Sequence, residues 1–283
     1  MRNFSVVVPI SEKDEGLMRV TLSSWFTLDS DDFLLCVDKP SSKSFRLVIE
    51  RLARICNKED KITIVEVEKS NEWRFHQAHV RREGFHKARY DAILTGDIDL
   101  VVNKNVYKAL SLVGKGNIGL VSLAKLHYPH QLQDYWREAI LLFSRNIVHG
   151  VLDKFFATTT FTGLYAFYRP YWLDSEQEEE LKKLVNPKEL VWQNDGKLAP
   201  VAVGEDTFLR DCMMQKGYRC VYLRDIGAVD LRPATENLPY MQYIIGRYFA
   251  RRRRSPFMSI GRAFLRAQPY YLAGYFHEWF RHK

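Results

Sequence analysis

The chain has 283 residues, of which 46% are hydrophobic and 27% charged, and its formal net charge is +8 at pH 7. This ordinary globular composition suffices for one large domain, or for one domain with an appendage. No segment reaches the roughly 18–20 uninterrupted apolar residues of a membrane-spanning helix, and we expect no signal peptide. The four cysteines are scattered without metal-type spacing, which predicts a reduced, cytoplasmic protein.

The first hundred residues alternate between strand-like and helix-like segments. Residues 4–10 form a continuous run rich in β-branched side chains, which is typical of a buried strand in a parallel sheet. Shorter apolar runs predict strands at 33–37 and 62–65. Helices are predicted at 17–28, 44–56 and 75–91. This alternation predicts an α/β fold with an open, mostly parallel sheet flanked by helices.

The rest of the chain continues the pattern and then becomes basic and aromatic. Strands are predicted at 118–123, 161–168 and 218–223, and helices at 134–148, 171–185, 205–216 and 240–254. We therefore predict an α/β domain over residues 1–235 and an amphipathic helical extension over residues 236–283. Pro269 is expected to break the last part of that extension into two pieces.

The most informative stretch is Gly96-Asp97-Ile98-Asp99, which stands between two apolar runs. Two carboxylates at the end of a buried strand are costly without a partner, and a divalent cation that holds phosphate oxygens is the usual one. Asp38 also follows a predicted strand, and ligands of open α/β sheets lie outside the carboxyl ends of the strands. The pattern predicts one shared site for a phosphorylated substrate. A pair of surface turn acids, or a haloacid-dehalogenase-like phosphatase motif, is the alternative.

A second acidic pair, Glu205-Asp206, follows Gly204 at the start of a predicted helix. Acids at that position interact favourably with the helix dipole and need no function. Together with Asp38 and the Asp97–Asp99 pair, however, they suggest part of the same site.

The order of these motifs resembles that of a family 2 glycosyltransferase with the GT-A fold, over about residues 4–232. The motifs are Val6-Val7-Val8-Pro9, Val37-Asp38, Gly96-Asp97-Ile98-Asp99, Phe161-Thr162-Gly163 followed by Arg169, and Gly204-Glu205-Asp206. The chain departs from the family after Asp38, where Lys39-Pro40-Ser41-Ser42 follows instead of a second acid or Gly-Ser.

The resemblance implies roles for individual residues. Asp97 and Asp99 would hold Mn²⁺ or Mg²⁺ against the diphosphate of a nucleoside-diphosphate sugar, with Asp230 as a candidate third ligand. Pro9, Asp38 and Arg82 would lie on the donor side, and Asp38 would contact the nucleobase. The helix motif would supply Glu205 and Asp206. Asp206 would act as the general base, and one base opposite the leaving group implies inversion at the anomeric carbon.

The basic C-terminal segment indicates what kind of surface the protein binds. Arg251-Arg252-Arg253-Arg254 and further arginines stand among aromatic and aliphatic residues, against a single acid, Glu278. This suits a helix lying on an anionic membrane surface, here the inner face, where a glycan or lipid-linked acceptor would be reached. The alternative is that the segment packs on the protein itself or on a second subunit.

Two other functions remain open at this point. A basic nucleic-acid-binding protein explains the arginines but not the paired aspartates, so we expect no nucleic-acid partner. A nucleotidyltransferase acting on a sugar phosphate shares the sheet and the aspartates. It calls for a glycine-rich loop after the first strand, where residues 11–16 are acidic with one glycine.

Overall fold

The computed structural model describes residues 3–73, 75–130, 135, 139, 163–183, 205–232, 239–251, 255–265 and 268–281. Eight strands form one sheet, in the order β3-β2-β1-β4-β7-β6-β8-β5. The strands are β1 Phe4–Ile10, β2 Phe33–Lys39, β3 Ile62–Glu68, β4 Ala92–Gly96, β5 Leu100–Val102, β6 Ile118–His127, β7 Leu164–Tyr168 and β8 Arg219–Asp230.

Strands β1 to β4 are mutually parallel, with β1 between β2 and β4 and with β3 outside β2. Strand β7 runs antiparallel to β4, β6 antiparallel to β7, and β5 antiparallel to β8. The predicted α/β fold with a mixed, mostly parallel sheet is confirmed.

Burial explains which strands are central. Every residue of β1 is buried, because helices cover both faces of the parallel part of the sheet. Outer strand β3 instead alternates between buried and more exposed residues along its second half. A continuous apolar run therefore marked the middle of the sheet correctly.

Ten helices occur in the described residues. They are α1 Glu15–Phe26, α2 Lys43–Ile55, α3 His76–Lys87, α4 Val106–Leu112, α5 Arg169–Ser175, α6 Glu178–Lys182, α7 Glu205–Gln215, α8 Pro239–Arg251, α9 Pro256–Leu265 and α10 Pro269–Arg281. In α2, Phe45, Ile49 and Ala53 recur at helical spacing and are all buried. The Ser42 side chain caps this helix by accepting a hydrogen bond from the Phe45 backbone N–H at 3.2 Å.

Several predicted boundaries differ from the observed ones. The helix predicted at 75–91 ends at Lys87, because the chain must extend into β4 from Ala92. The helix predicted at 171–185 is two helices in the described residues. Strand β8 continues to Asp230, well past the predicted end at residue 223, because Arg224, Asp225 and Gly227 interrupt the apolar pattern but not the strand.

Some predictions fall outside the described residues. These are most of the helix predicted at 134–148, the Phe161-Thr162 part of the Phe161-Thr162-Gly163 motif, Gly204, and Arg252-Arg253-Arg254.

The described residues fall into two compact units. The first draws on residues 1–126, 159–187 and 201–231, and the second on residues 127–158, 188–200 and 232–283. The predicted boundary at residue 235 stays a prediction, since the second unit also takes in parts of the chain that precede it.

In the second unit, α8 and α10 cross at two glycines. A Cβ on Gly246 would lie 2.0 Å from the Tyr271 carbonyl oxygen, and one on Gly274 would lie 1.8 Å from the Tyr243 carbonyl oxygen. Only glycine allows backbones to approach so closely. Arg247 donates to the Glu278 carboxylate at 2.6 Å in the same interface, where Glu278 is 1% exposed.

The predicted break at Pro269 is confirmed, since α9 ends at Leu265 and α10 begins at Pro269. Within the parts of the chain that the structure describes, none of the helices has the length and apolar character needed to cross a membrane.

Candidate active site

The Asp97–Asp99 pair lies where β4 ends and β5 begins. Gly96 closes β4, and Leu100 opens β5 opposite Asp230 in the antiparallel pairing with β8. The Asp99 carbonyl oxygen accepts a hydrogen bond from the Leu231 backbone N–H at 2.9 Å. This hydrogen bond holds the end of β8 next to the Asp97–Asp99 pair. Asp99 is 6% exposed and Asp230 5% exposed, so both carboxylates are nearly excluded from bulk water.

Arg81 connects this pair to the second acidic motif. Its guanidinium is buried and donates hydrogen bonds to both Asp97 and Glu205. The Gln77 side chain, one helical turn earlier in α3, donates to Asp97 Oδ1 at 3.3 Å. One cation on α3 thus joins the end of β4 to the start of α7, two segments far apart in the sequence.

The start of α7 carries Glu205 and Asp206 in its first turn. Burial raises the pKa of Glu205 to about 7; Arg81 opposes this, and the nearby carboxylates Asp206 and Asp97 add to it. Asp206 is partly exposed, and its charge acts on both Arg81 and Glu205. Both acids are partly exposed, and Glu205 is held in an ion pair with Arg81.

Lys125, near the end of β6, is the second cation of the site. Its Nζ lies 2.8 Å from Asp230 Oδ2. Burial opposes the charged form of Lys125, but Asp230, Asp97 and Asp99 together raise its pKa above the ordinary value. The ammonium is thus paired with Asp230 and lies within the electrostatic influence of Asp97 and Asp99, the other two carboxylates predicted to bind a metal.

Asp38 is the penultimate residue of β2, at the same carboxyl edge of the sheet. His76, the first residue of α3, places its Nε2 3.1 Å from Asp38 Oδ1. Pro9 lies one strand away in β1, where it is buried and pairs with Cys36. Donor-side roles for Asp38 and Pro9 stay predictions.

Arg82 does not reach the Asp97–Asp99 pair in the described contacts. Its guanidinium instead pairs with Glu176 at 2.5 Å and Glu178 at 2.6 Å. The arginine that contacts Asp97 is its neighbour, Arg81. A donor-side role for Arg82 stays a prediction.

Arg81 and Lys125 were not among the predicted site residues. Arg81 shares the buried face of α3 with Ala78 and Phe85, at spacings of three and four residues. An arginine within an apolar stripe is a signal that could have identified it. Lys125 had no such signal, because β6 was predicted to end at residue 123.

Comparisons with known proteins identify the fold that carries this site. No protein-family model matches the sequence, and no curated protein does either. The structure is similar to that of the mannosyltransferase PcManGT from Pyrobaculum calidifontis, solved in complex with GDP-Man and Mn²⁺. The TM-score is 0.53 with 17% identity, over 97% of this chain and 69% of that one. This chain has the GT-A fold.

Two further solved structures are similar at lower scores. S. aureus TarS 1-349 gives a TM-score of 0.48 with 16% identity, over 88% of this chain and 64% of that one. Glucosyl-3-phosphoglycerate synthase from Mycobacterium tuberculosis gives 0.43 with 17% identity, over 88% and 80%. The GT-A assignment rests on the first similarity, which spans nearly the whole chain.

The GT-A fold implies a divalent cation, and the donor chemistry of the site fits one. Carboxylate oxygens are the ligands that Mg²⁺ and Mn²⁺ prefer. Five carboxylates interact here with the cations of Arg81 and Lys125, which leaves an excess of negative charge. The carboxylates belong to Asp97, Asp99, Glu205, Asp206 and Asp230.

The predicted three-carboxylate set, however, is not assembled in this structure. Within the described residues, no three His, Cys, Asp or Glu side chains converge closely enough to hold a metal ion. The Asp230 carboxylate is paired with the ammonium of Lys125. Metal binding by Asp97, Asp99 and Asp230 stays a prediction.

Proposed function

We propose that this chain is a metal-dependent glycosyltransferase of family 2. It would transfer a sugar from a nucleoside-diphosphate sugar to a hydroxyl group, with inversion at the anomeric carbon. The observation that carries the proposal is that Arg81 joins Asp97 to Glu205 at the carboxyl edge of a GT-A sheet. The two acidic motifs therefore belong to one site, as sugar transfer requires.

The donor side would be formed by the ends of β1, β2 and β4. Asp38 would accept a hydrogen bond from the nucleobase, and Pro9 would shape the end of β1. Asp99 and Asp97 would hold Mn²⁺ or Mg²⁺, which when bound neutralises negative charge on the diphosphate. Arg81 would keep Asp97 oriented, because its guanidinium is itself fixed by Glu205.

Asp206 would act as the general base on the acceptor. The acceptor hydroxyl would lose its proton to the Asp206 carboxylate as its oxygen forms a bond to the anomeric carbon. The bond from that carbon to the diphosphate oxygen breaks, and the nucleoside diphosphate leaves with both electrons. The ion pair that holds Glu205 against Arg81 favours Asp206 over Glu205 in this role.

The test compares Asp206→Asn with Asp211→Asn on the same helix. A panel of UDP- and GDP-sugars with Mn²⁺ first identifies the donor by release of nucleoside diphosphate. We expect Asp206→Asn to lower turnover by about 10²–10⁴-fold, the usual contribution of a general base. Asp211 forms an ion pair with Arg210, with the two charged groups 2.5 Å apart. It pairs with neither acid of the motif, so its variant should retain turnover.

Binding distinguishes loss of chemistry from loss of the site. The Asp206→Asn protein should still be stabilised against thermal unfolding by the donor nucleotide with Mn²⁺. Near-normal turnover in that variant would contradict the assignment. Stabilisation of the wild-type chain by DNA or RNA, and not by any sugar nucleotide, would favour the nucleic-acid alternative.

We also propose that the chain attaches peripherally to an anionic membrane surface, where a glycan or lipid-linked acceptor would be presented. Helix α9 supports this. Phe257 and Phe264 are 87% and 83% exposed on one face, while Ser259 and Ala263 on the other face are buried. Exposed aromatic residues beside an arginine-rich sequence are typical of interfacial helices. Sedimentation with anionic vesicles measures such attachment.

A further inference from the structure

Lys125 occupies an unusual position for a lysine. Its side chain is 18% exposed, and its Nζ lies 2.8 Å from Asp230 Oδ2, a carboxylate that is 8% exposed. The charges of Asp97 and Asp99 also act on it. An ideal Cβ placed on Gly163 would lie 3.1 Å from Asp97 Oδ2 and 4.0 Å from Lys125 Nζ. The ammonium and Asp97 therefore border the same space.

A lysine ammonium and a divalent cation have similar requirements in such a place. Each needs negatively charged oxygen atoms, and neither shares a carboxylate with another cation without repulsion. An ammonium is attached to the chain, so it is present at all times. A divalent ion must therefore bind beside a fixed positive charge or displace it.

We propose that Lys125 is a built-in cation that holds Asp230 while the divalent ion is absent and competes with that ion for the carboxylate. This inference rests on the divalent ion of the proposed function. It makes ion binding depend on the nucleotide, since the diphosphate brings the negative charge that accommodates both cations.

The experiment measures Mn²⁺ affinity of the full chain without nucleotide, from the electron paramagnetic resonance signal of free Mn²⁺. Lys125→Met keeps the length of the side chain and removes its charge. We expect this variant to bind Mn²⁺ at least about fivefold more tightly than wild type, a usual size for coupling between two sites. Lys125→Arg keeps the charge and should remain close to wild type.

Lys108→Met is the matched control. Lys108 also forms an ion pair, its Nζ lying 2.5 Å from Asp225 Oδ1, but it is 57% exposed and does not touch the carboxylate cluster. Its loss should leave Mn²⁺ affinity unchanged. If Lys125→Met does not fold, Lys125→Gln is measured in the same way, with circular dichroism to confirm the fold.

A second arm repeats the titration with UDP or GDP present. Wild type should gain Mn²⁺ affinity from the nucleotide, and Lys125→Met should gain less, because the repulsion is already removed. Equal or weaker Mn²⁺ binding by folded Lys125→Met or Lys125→Gln, relative to wild type, would overturn the inference. Failure of sugar transfer with tighter Mn²⁺ binding would instead overturn the proposed function alone.

Discussion

Arg81 is the residue on which the candidate site depends. Its guanidinium is 2% exposed and pairs with Asp97 and with Glu205. The Glu205 side chain is 13% exposed and that of Asp97 33% exposed, so loss of the cation would leave an uncompensated charge that is largely buried at Glu205. Removing one partner of a buried ion pair costs far more stability than the pair adds over an apolar replacement.

We therefore expect Arg81→Met to lower the free energy of unfolding by about 3–5 kcal/mol, the usual cost of breaking a buried pair. Urea unfolding followed by circular dichroism measures this. Arg19→Met is the control, because Arg19 pairs with Glu15 on the exposed surface of α1. That change should cost only about 0.3–0.5 kcal/mol. Equal losses in the two variants would show that Arg81 is not the structural link between the two motifs.

At the scale of elements, α3 is held to the sheet by a close contact at Gly84. A Cβ on this residue would lie 2.5 Å from both Cys36 Sγ and Val7 Cγ1, which belong to the central strands β2 and β1. Both neighbours are 0% exposed, so neither can move aside into solvent. Because α3 also carries Gln77 and Arg81, this contact sets the distance between the helix and the site.

Gly84→Ala should destabilise the chain by about 1–3 kcal/mol, because overpacking forces strands and helix apart. The loss should appear in thermal unfolding, together with weaker nucleotide binding as Arg81 shifts. Gly16→Ala in α1 provides the comparison, since a Cβ there meets nothing within 4 Å. Alanine at an open helical position is neutral or stabilises by up to about 1 kcal/mol. Similar stability of the two variants would contradict the close-contact argument.

At the scale of the whole molecule, two helices of the C-terminal extension differ in how their apolar residues are covered. Helix α10 packs on α8, with Tyr271 and Tyr275 fully buried, so these aromatic residues are covered within the extension itself. Helix α9 keeps an exposed apolar face. Removing the chain from Ser255 onward would destroy the α8–α10 packing, so substitutions on α9 give the cleaner test.

Phe257→Ser with Phe264→Ser should lower binding to phosphatidylglycerol vesicles by about tenfold or more, since burying each phenyl ring contributes about 1.5–3 kcal/mol. Co-sedimentation measures the bound fraction. The matched control is Leu47→Ser with Ile55→Ser, which removes two exposed apolar side chains from α2 in the other unit. Unchanged binding after the α9 substitutions would count against membrane attachment through this face.

Local pattern by itself determined the parallel part of the sheet and the acidic motifs. Continuous apolar runs marked β1, β2 and β4 because strands covered on both faces carry no polar alternation. The ordered motifs also indicated the GT-A fold, because they stand at strand ends, where parallel strands bring ligands together. These features depend on neighbours along the chain, which a sequence displays directly.

Only the tertiary structure decided which charges meet. Arg81 and Arg82 are adjacent in sequence, yet one joins Asp97 to Glu205 and the other pairs with Glu176. Lys125 and Asp230 lie on β6 and β8, and no local pattern relates them. An ion pair depends on distance in space and on exclusion of water, and both are set by how helices pack on the sheet. Asp97 and Asp99 could therefore be read as a phosphate-binding pair from sequence, but the cations that accompany them could not.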